Sequence, residues 1–203
     1  MKVILDTAIG SDIDDAVCLA YLLAQPKCKL LGITTVTADV AARASLADAL
    51  CKLGGQDIPI YPGLRRPLIV ELRQPEVQQA AVLGRWPHQK QCPKHEAIEF
   101  MRRTIRQHPG QVTLLGIGPL TNIATLFAVD PEIPTLLKHL VIMAGNYGPV
   151  RWGSLGGGLV EWNSWNDPHA AAMVYAAVTP RTRLISIDTT RQVELDINAA
   201  KER

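Results

Sequence analysis

The chain has 203 residues, 47% of them hydrophobic and 20% charged, and this balance predicts one globular domain spanning residues 1–203. The formal net charge is +2 and lysines and arginines are scattered, which excludes a polyanion-binding stripe, so nucleic acid is not an expected partner. The first residues form a strand-like segment without a leader pattern, which predicts a cytoplasmic protein that does not bind membranes. The four cysteines lack metal-ligand spacing and are predicted to be structural.

Strand and helix patterns alternate from the amino terminus onward. Apolar runs and turn residues predict a strand at 3–5, a helix at 16–23, a strand at 30–36, a helix at 41–53 and an extended piece at 58–60. Residues 63–95 are rich in Gln, Pro and Arg without a sustained period, which predicts a long loop with one helical piece at 76–82.

The second half of the chain repeats the alternation. The pattern predicts a helix at 97–107, a strand at 112–115, a helix at 119–127, a strand at 137–143, a helix at 168–177 and a strand at 183–187. Such alternation predicts an α/β fold with an open, mostly parallel, doubly wound sheet and helices on both faces. Ligand sites of these sheets form at the carboxyl ends of strands, here near 6–15, 36–39, 116–118 and 144–167.

A cluster of acidic residues follows the first strand. Asp6, Asp12, Asp14 and Asp15 lie within ten positions, and crowded carboxylates have raised pKa values unless a cation or hydrogen bonds compensate. Oxygen ligands without nearby His or Cys favour calcium or magnesium. The alternative is that Asp12 caps the next helix while Asp14 and Asp15 complement its dipole in solvent. Gly10 stands alone, which excludes a dinucleotide fingerprint.

Four ordered segments resemble the calcium-dependent nucleoside N-ribohydrolases, the inosine/uridine-preferring nucleoside hydrolase family. These segments are ILDTAIGSDIDDA at 4–16, GITTV at 32–36 with Asp39, GIGPLTNIA at 116–124, and EWN at 161–163 with Asp167-Pro168. The resemblance covers essentially the whole chain and implies a nucleoside hydrolase-like fold. It also implies a homodimer or homotetramer, a role in purine or pyrimidine salvage, and calcium as the cofactor.

The resemblance implies a role for individual residues. Calcium ligands are expected at three positions: the carboxylate of Asp15, that of Asp6 at or just behind the metal, and the backbone carbonyl of Ile117. Ribose-binding side chains are expected at four positions: Asp14, Asp39, Glu161 and Asn163. The implied reaction is hydrolysis of the N-glycosidic bond of a ribonucleoside to base and ribose, with the nucleobase left open.

Several of these residues have a plainer interpretation. Asp39 has the position of a cap for the helix at 41–53, and Glu161 and Asn163 have that of a solvated turn. Thr121 and Asn122 are expected to cap the helix after Pro119 rather than to contact substrate.

The chain departs from the family pattern at the second aspartate of the first motif, which is Ala8 here. In the family that aspartate ligates calcium and activates the attacking water, so no catalytic residue is assigned, and Asp12 is left as a partial substitute. The glycine usual after the second strand is Ala38. The family's last calcium aspartate and its proton-donating histidine belong to a carboxyl-terminal part that has no counterpart here, and the five histidines are expected at the surface.

These features leave three functional hypotheses. The first is a hydrolase of a nucleoside or of a related ribosyl compound, either truncated or altered at Ala8. The second is a ribose- or nucleoside-binding protein without turnover, and the third is a structural remnant with no affinity for either ribose or calcium.

Overall fold

The computed structural model describes residues 1–89, 92–93, 95–147, 160–177 and 179–194. Six strands lie in these ranges: β1 (Lys2–Thr7), β2 (Lys29–Thr35), β3 (Ile60–Pro62), β4 (Val112–Gly116), β5 (His139–Met143) and β6 (Thr182–Ile185). All neighbouring strands pair in parallel, in the order β3-β2-β1-β4-β5-β6. The predicted open, mostly parallel α/β sheet is therefore confirmed.

The helices of the described ranges follow the strands. They are α1 (Asp14–Ala24), α2 (Val40–Leu53), a 3-10 helix (Gln78–Gly84), α3 (Ala97–Gln107), α4 (Thr121–Val129), α5 (Ile133–Leu136), α6 (Trp162–Asn166), α7 (Pro168–Ala176) and α8 (Ile187–Thr190). Within these ranges, no helix is both long and apolar enough to cross a membrane.

The strand order locates the switch point of the sheet. From β1 the chain winds outward through β2 and β3, and it then returns to the other side of β1 for β4, β5 and β6. Successive crossovers in opposite directions leave a crevice at the carboxyl ends of β1 and β4, where doubly wound sheets bind their ligands.

The core consists of two apolar clusters, one on each face of the sheet. One cluster unites Ile4 and Leu114 with residues of α3, α4 and α7, and the other unites Val3 and Leu5 with residues of α1 and α2. Ile4 packs in a different cluster from Val3 and Leu5 because successive side chains of a strand point to opposite faces of the sheet. Helices thus cover both faces, as predicted.

The cysteines belong to the second cluster and form no disulfide. Burial raises the pKa of Cys18 to about 11 and that of Cys51 to about 12, so both thiols stay protonated at neutral pH. This state agrees with the structural role predicted for them.

The differences from the predicted elements concern short helices and element ends. The sequence pattern missed α5, α6 and α8, each of which has at most five residues and therefore shows no full helical period. The last strand ends at Ile185 rather than at residue 187, because Ile187 begins α8. The helical piece predicted at 76–82 is the 3-10 helix at Gln78–Gly84, and the Gly-rich span 153–158 lies outside the described residues.

Gly32 is a packing requirement of the central sheet. A Cβ atom at this position of β2 would lie 2.3 Å from Cζ of Phe100, whose ring stacks on Tyr61 with centroids 4.3 Å apart. We expect Gly32→Ala to lower the free energy of unfolding by about 1–3 kcal/mol, as overpacking in a rigid core does. Urea unfolding of the variant measures the loss. Gly84→Ala is the control, since nothing lies within 4 Å of a Cβ there, and equal stability of the two variants would contradict the prediction.

Candidate active site

A cavity of about 230 Å³ opens at the carboxyl edge of the sheet, at the switch point. Segments that follow β1, β2, β4 and β5 contribute to its wall. Its lining includes Ala8, Ser11, Asp12, Asp14, Asp15, Thr37, Ile117, Met143, Glu161, Trp162 and Asn163. Five of the seven residues expected at the metal or the ribose are among them, and the exceptions are Asp6 and Asp39.

Asp14 and Asp15 reach the cavity from the first turn of α1. Asp14 is exposed, whereas Asp15 is buried and accepts a hydrogen bond from the hydroxyl of Thr7. Burial raises the pKa of Asp15 to about 7, and the Thr7 hydrogen bond acts in the opposite direction. Asp12 lines the cavity too and does not cap α1, whose N-cap residue is Ile13 and lacks a side-chain cap hydrogen bond.

Glu161 is the N-cap residue of α6, Asn163 lies in the first turn of this helix, and both are buried. The Glu161 carboxylate accepts hydrogen bonds from the backbone N–H groups of Gly145, Asn163 and Ser164 at 2.7–2.9 Å. The Asn163 amide donates to the carbonyls of Ile117 and Met143, both at 3.0 Å. The pair therefore fixes the ends of β4 and β5 against each other, and the solvated-turn interpretation is wrong.

Asp6 lies behind the cavity rather than in it. One carboxylate oxygen accepts from the Thr34 hydroxyl at 2.5 Å and from the Asn122 amide at 2.7 Å. The other oxygen is buried and has no hydrogen-bond partner among the described residues. Burial raises the pKa of Asp6 to about 7, against the effect of these two hydrogen bonds.

The expected capping of α4 is wrong, because its N-cap residue is Leu120 and no side chain caps it. Asn122 instead joins Asp6 to two neighbouring segments by donating to Thr35 O at 3.1 Å and accepting from Leu64 N at 2.9 Å. Thr121 donates to the buried Asp167 carboxylate at 2.8 Å. Since these contacts span distant parts of the chain, no local sequence pattern indicates them.

Asp39 is the N-cap residue of α2. Its carboxylate accepts from the backbone N–H groups of Ala41 at 3.2 Å and Ala42 at 3.1 Å. It does not line the cavity, although Thr37, two residues earlier, does. The structure thus has the capping arrangement, and a ribose contact for Asp39 stays a prediction.

Ala8 presents a methyl group to the cavity where the family pattern has a carboxylate. The space beside it is narrow, because a Cβ atom on Gly118 would lie 3.1 Å from Cβ of Ala8. Among the described residues, no group of three or more His, Cys, Asp and Glu side chains is arranged to hold a metal ion. None of the five histidines lines the cavity.

Several residues of the wall were given no role from the sequence, among them Trp162, Gln74, Ile187 and Thr190. Trp162 lies between the motif residues Glu161 and Asn163, a position that could have indicated it, and it lines the cavity while 40% exposed. Gln74 reaches the cavity from the long loop after β3, where no periodic pattern points to it.

Comparison with known proteins identifies curated relatives that match most of this chain. An uncharacterized protein of Schizosaccharomyces pombe is 36% identical over 95% of this chain and 63% of its own length. Uridine nucleosidase 1 of Arabidopsis thaliana is 30% identical over 96% of this chain and 58% of its own length. The chain thus spans about three fifths of the length of these curated relatives.

The fold has counterparts among solved structures. A purine-preferring ribonucleoside hydrolase from Gardnerella vaginalis superposes with a TM-score of 0.84, covering 100% of this chain and 66% of its own, at 24% sequence identity. At that identity the likeness shows the fold alone. The family model described as inosine-uridine preferring nucleoside hydrolase matches residues 3–203. With this match over nearly its full length, the chain belongs to the inosine-uridine preferring nucleoside hydrolase family.

Proposed function

We propose that the cavity binds the ribose of a ribonucleoside and that the chain hydrolyses the N-glycosidic bond, which yields a free base and ribose. The observation that supports this best is the convergence of Asp14, Asp15, Glu161 and Asn163 on one cavity. They come from two distant segments of the chain, and each belongs to a motif shared with the family. Family membership supports the reaction class.

The side chains of the cavity suit a sugar and its reaction. Ribose hydroxyls donate to carboxylates such as that of Asp14 and to the amide oxygen of Asn163. Glycosidic cleavage passes through an oxocarbenium-like state, whose positive charge ionised carboxylates stabilise. Water adds to the anomeric carbon, the bond to the base nitrogen breaks with its electron pair, and the base leaves with a proton.

Calcium is implied by the family resemblance, but the described residues do not fit a complete calcium site. Calcium takes about six to eight oxygen ligands. Of the three implied ligands, Asp15 and Ile117 line the cavity and Asp6 lies behind it. The Ile117 carbonyl also accepts the Asn163 hydrogen bond, and Ala8 contributes a methyl group. No step of the proposed reaction therefore passes through a metal.

Ala8 favours a second candidate function, which is ribose binding without turnover. A methyl group accepts no proton from water, whereas the remaining polar wall still offers hydrogen bonds to a sugar. The two candidates differ in one measurable quantity, the release of free base.

The test combines a binding and a product measurement on the purified chain. Ribose affinity is measured by calorimetry, and base release from inosine and uridine by chromatography. Asp14→Asn is expected to weaken ribose binding about tenfold, since a charged hydrogen-bond acceptor is lost. Asp57→Asn, at an exposed aspartate outside the cavity lining, is the matched control and should leave the affinity unchanged.

Each outcome separates the candidates. Binding with base release supports the hydrolase, and binding without release supports the second candidate. No ribose binding by the unmodified chain would overturn both.

Assembly as a homodimer or homotetramer, a salvage role and a cytoplasmic location are further proposals that rest on the resemblance and the sequence pattern alone.

A further inference from the structure

Arg43 of α2 is the largest of the fully buried side chains, with an exposure of 0%. No described carboxylate lies within ion-pair distance of its guanidinium. Burying an unpaired charge is costly unless hydrogen bonds satisfy its donors. Hydrogen bonds, rather than a salt bridge, must therefore compensate for the burial of the Arg43 guanidinium.

The guanidinium binds the backbone of two loops at once. Nε donates to the carbonyl of Thr37 at 2.9 Å, and Nη1 donates to the carbonyls of Ala8 and of Ile9, the latter at 2.8 Å. Nη2 donates to the Ser11 hydroxyl at 3.1 Å. These contacts use four of the five N–H groups of the planar fork, so the side chain joins the segment after β1 to the segment after β2.

Three of the four residues held in this way, Ala8, Ser11 and Thr37, line the cavity. Thr37 and Ala38 also have φ values of 65° and 58°, a left-handed conformation that costs about 1–2 kcal/mol per non-glycine residue. Such backbone persists only where surrounding contacts fix it. The hydrogen bond from Arg43 to the Thr37 carbonyl is one of them.

We propose that Arg43 is a positioning residue for the cavity, whose guanidinium sets the two loops that carry Ala8, Ser11 and Thr37 at the spacing a ribose requires. It lies outside the cavity lining and acts only through the loops. The inference rests on the proposed ribose-binding function. Nothing in the sequence around position 43 indicates this role, because Arg43 appears there as an ordinary charged residue of an amphipathic helix.

Arg43→Lys tests the proposal, because lysine keeps the charge but lacks the fork that reaches both loops. Arg106→Lys is the matched control: Arg106 lies on α3 outside the cavity lining, and it binds Asp130 at 2.5 Å and Glu132 at 2.8 Å. We expect Arg43→Lys to weaken ribose binding about tenfold under conditions where both variants are fully folded. The control should keep its ribose affinity. Unchanged ribose affinity in Arg43→Lys would overturn the proposal and leave Arg43 as a stabilising residue only.

Amide hydrogen exchange gives a readout that needs no ligand. The N–H groups of Thr37 and Ala38 are bound to Leu64 O at 2.8 Å and Arg65 O at 2.9 Å, and they should exchange about tenfold faster in Arg43→Lys. Amides of Ile4 and Leu5 in β1 should not change. If the unmodified chain binds no ribose while this local effect appears, the proposed function fails and the positioning of the loops stands. Uniform acceleration throughout the sheet, or none, would overturn the positioning role.

Ser11→Ala keeps the proposal testable if Arg43→Lys fails to fold. It removes the hydroxyl that accepts the hydrogen bond from Nη2 of Arg43, and it leaves the arginine and the other hydrogen bonds of its guanidinium in place. Faster exchange of the Ile9 amide, which donates to Thr7 at 3.1 Å, is expected. Unchanged exchange at Ile9 would count against the proposal.

Discussion

Ala8→Asp is expected to raise the rate of base release by about 10²–10⁴-fold, the usual contribution of a positioned general base. Ala8 lines the cavity beside Asp15 and close to Gly118, so the new carboxylate enters the polar wall rather than the core. There it would accept a proton from the attacking water, which the methyl group does not do. Chromatography of free base from inosine and uridine, with and without calcium, measures the gain.

The matched control for this variant is Ala8→Asn, which has nearly the same size but no basic group. We expect it to resemble the unmodified chain. A calorimetric calcium titration of both variants adds a second measurement, since only Ala8→Asp adds a charged oxygen atom to the cavity wall. Equal base release by the two variants would show that Ala8 does not limit the reaction.

Asp6→Asn is expected to reduce the pH dependence of the free energy of unfolding. Its pKa is raised from 3.8 to about 7 in the folded chain, so the folded state holds a proton that the unfolded state releases. The stabilisation is fully present below pH 3.8 and is lost as the pH rises to about 7. The loss is on the order of 4 kcal/mol, because each pKa unit corresponds to about 1.4 kcal/mol.

Urea unfolding between pH 4 and pH 8 measures the effect of Asp6→Asn. The unmodified chain should lose stability across this window, and the variant should lose less. Part of the slope remains, because the pKa of Asp15 is also raised to about 7. The amide leaves an N–H group where an Asp6 oxygen has no partner, so the variant is expected to be less stable at pH 4. Parallel curves for variant and unmodified chain would contradict the prediction, and Asp57→Asn at an exposed position is the control.

The sequence was sufficient to predict an open, mostly parallel sheet and the alternation of strands and helices along the chain. Parallel strands are buried on both faces and therefore appear as short apolar runs, and glycines and polar residues mark their carboxyl ends. This regularity predicted the edge at which Asp14, Asp15, Ile117, Glu161 and Asn163 meet. The shared motifs added the family, which the matches over residues 3–203 confirm.

Period-two alternation in β1 contained a signal that the sequence interpretation did not use. Val3, Leu5 and Thr7 face α1 and α2, whereas Ile4 and Asp6 face α3 and α4. Asp6 and Asp15 therefore lie in separate environments although they follow closely in the sequence.

Only the tertiary structure showed which hydrogen-bond partners the polar side chains have in the cavity wall and behind it. The Asn122 amide binds Asp6 across 116 positions, and the Arg43 guanidinium binds carbonyls 34 and 35 positions away. The pairing partners of a buried polar group depend on which segments the fold brings together, and local patterns carry no record of them. The sequence by itself thus determined the family, the sheet and the edge that bears the cavity. The structure decided that Asp6 and Asn122 lie behind the cavity, that Asp39 caps a helix, and that a buried arginine joins the two loops beside Ala8.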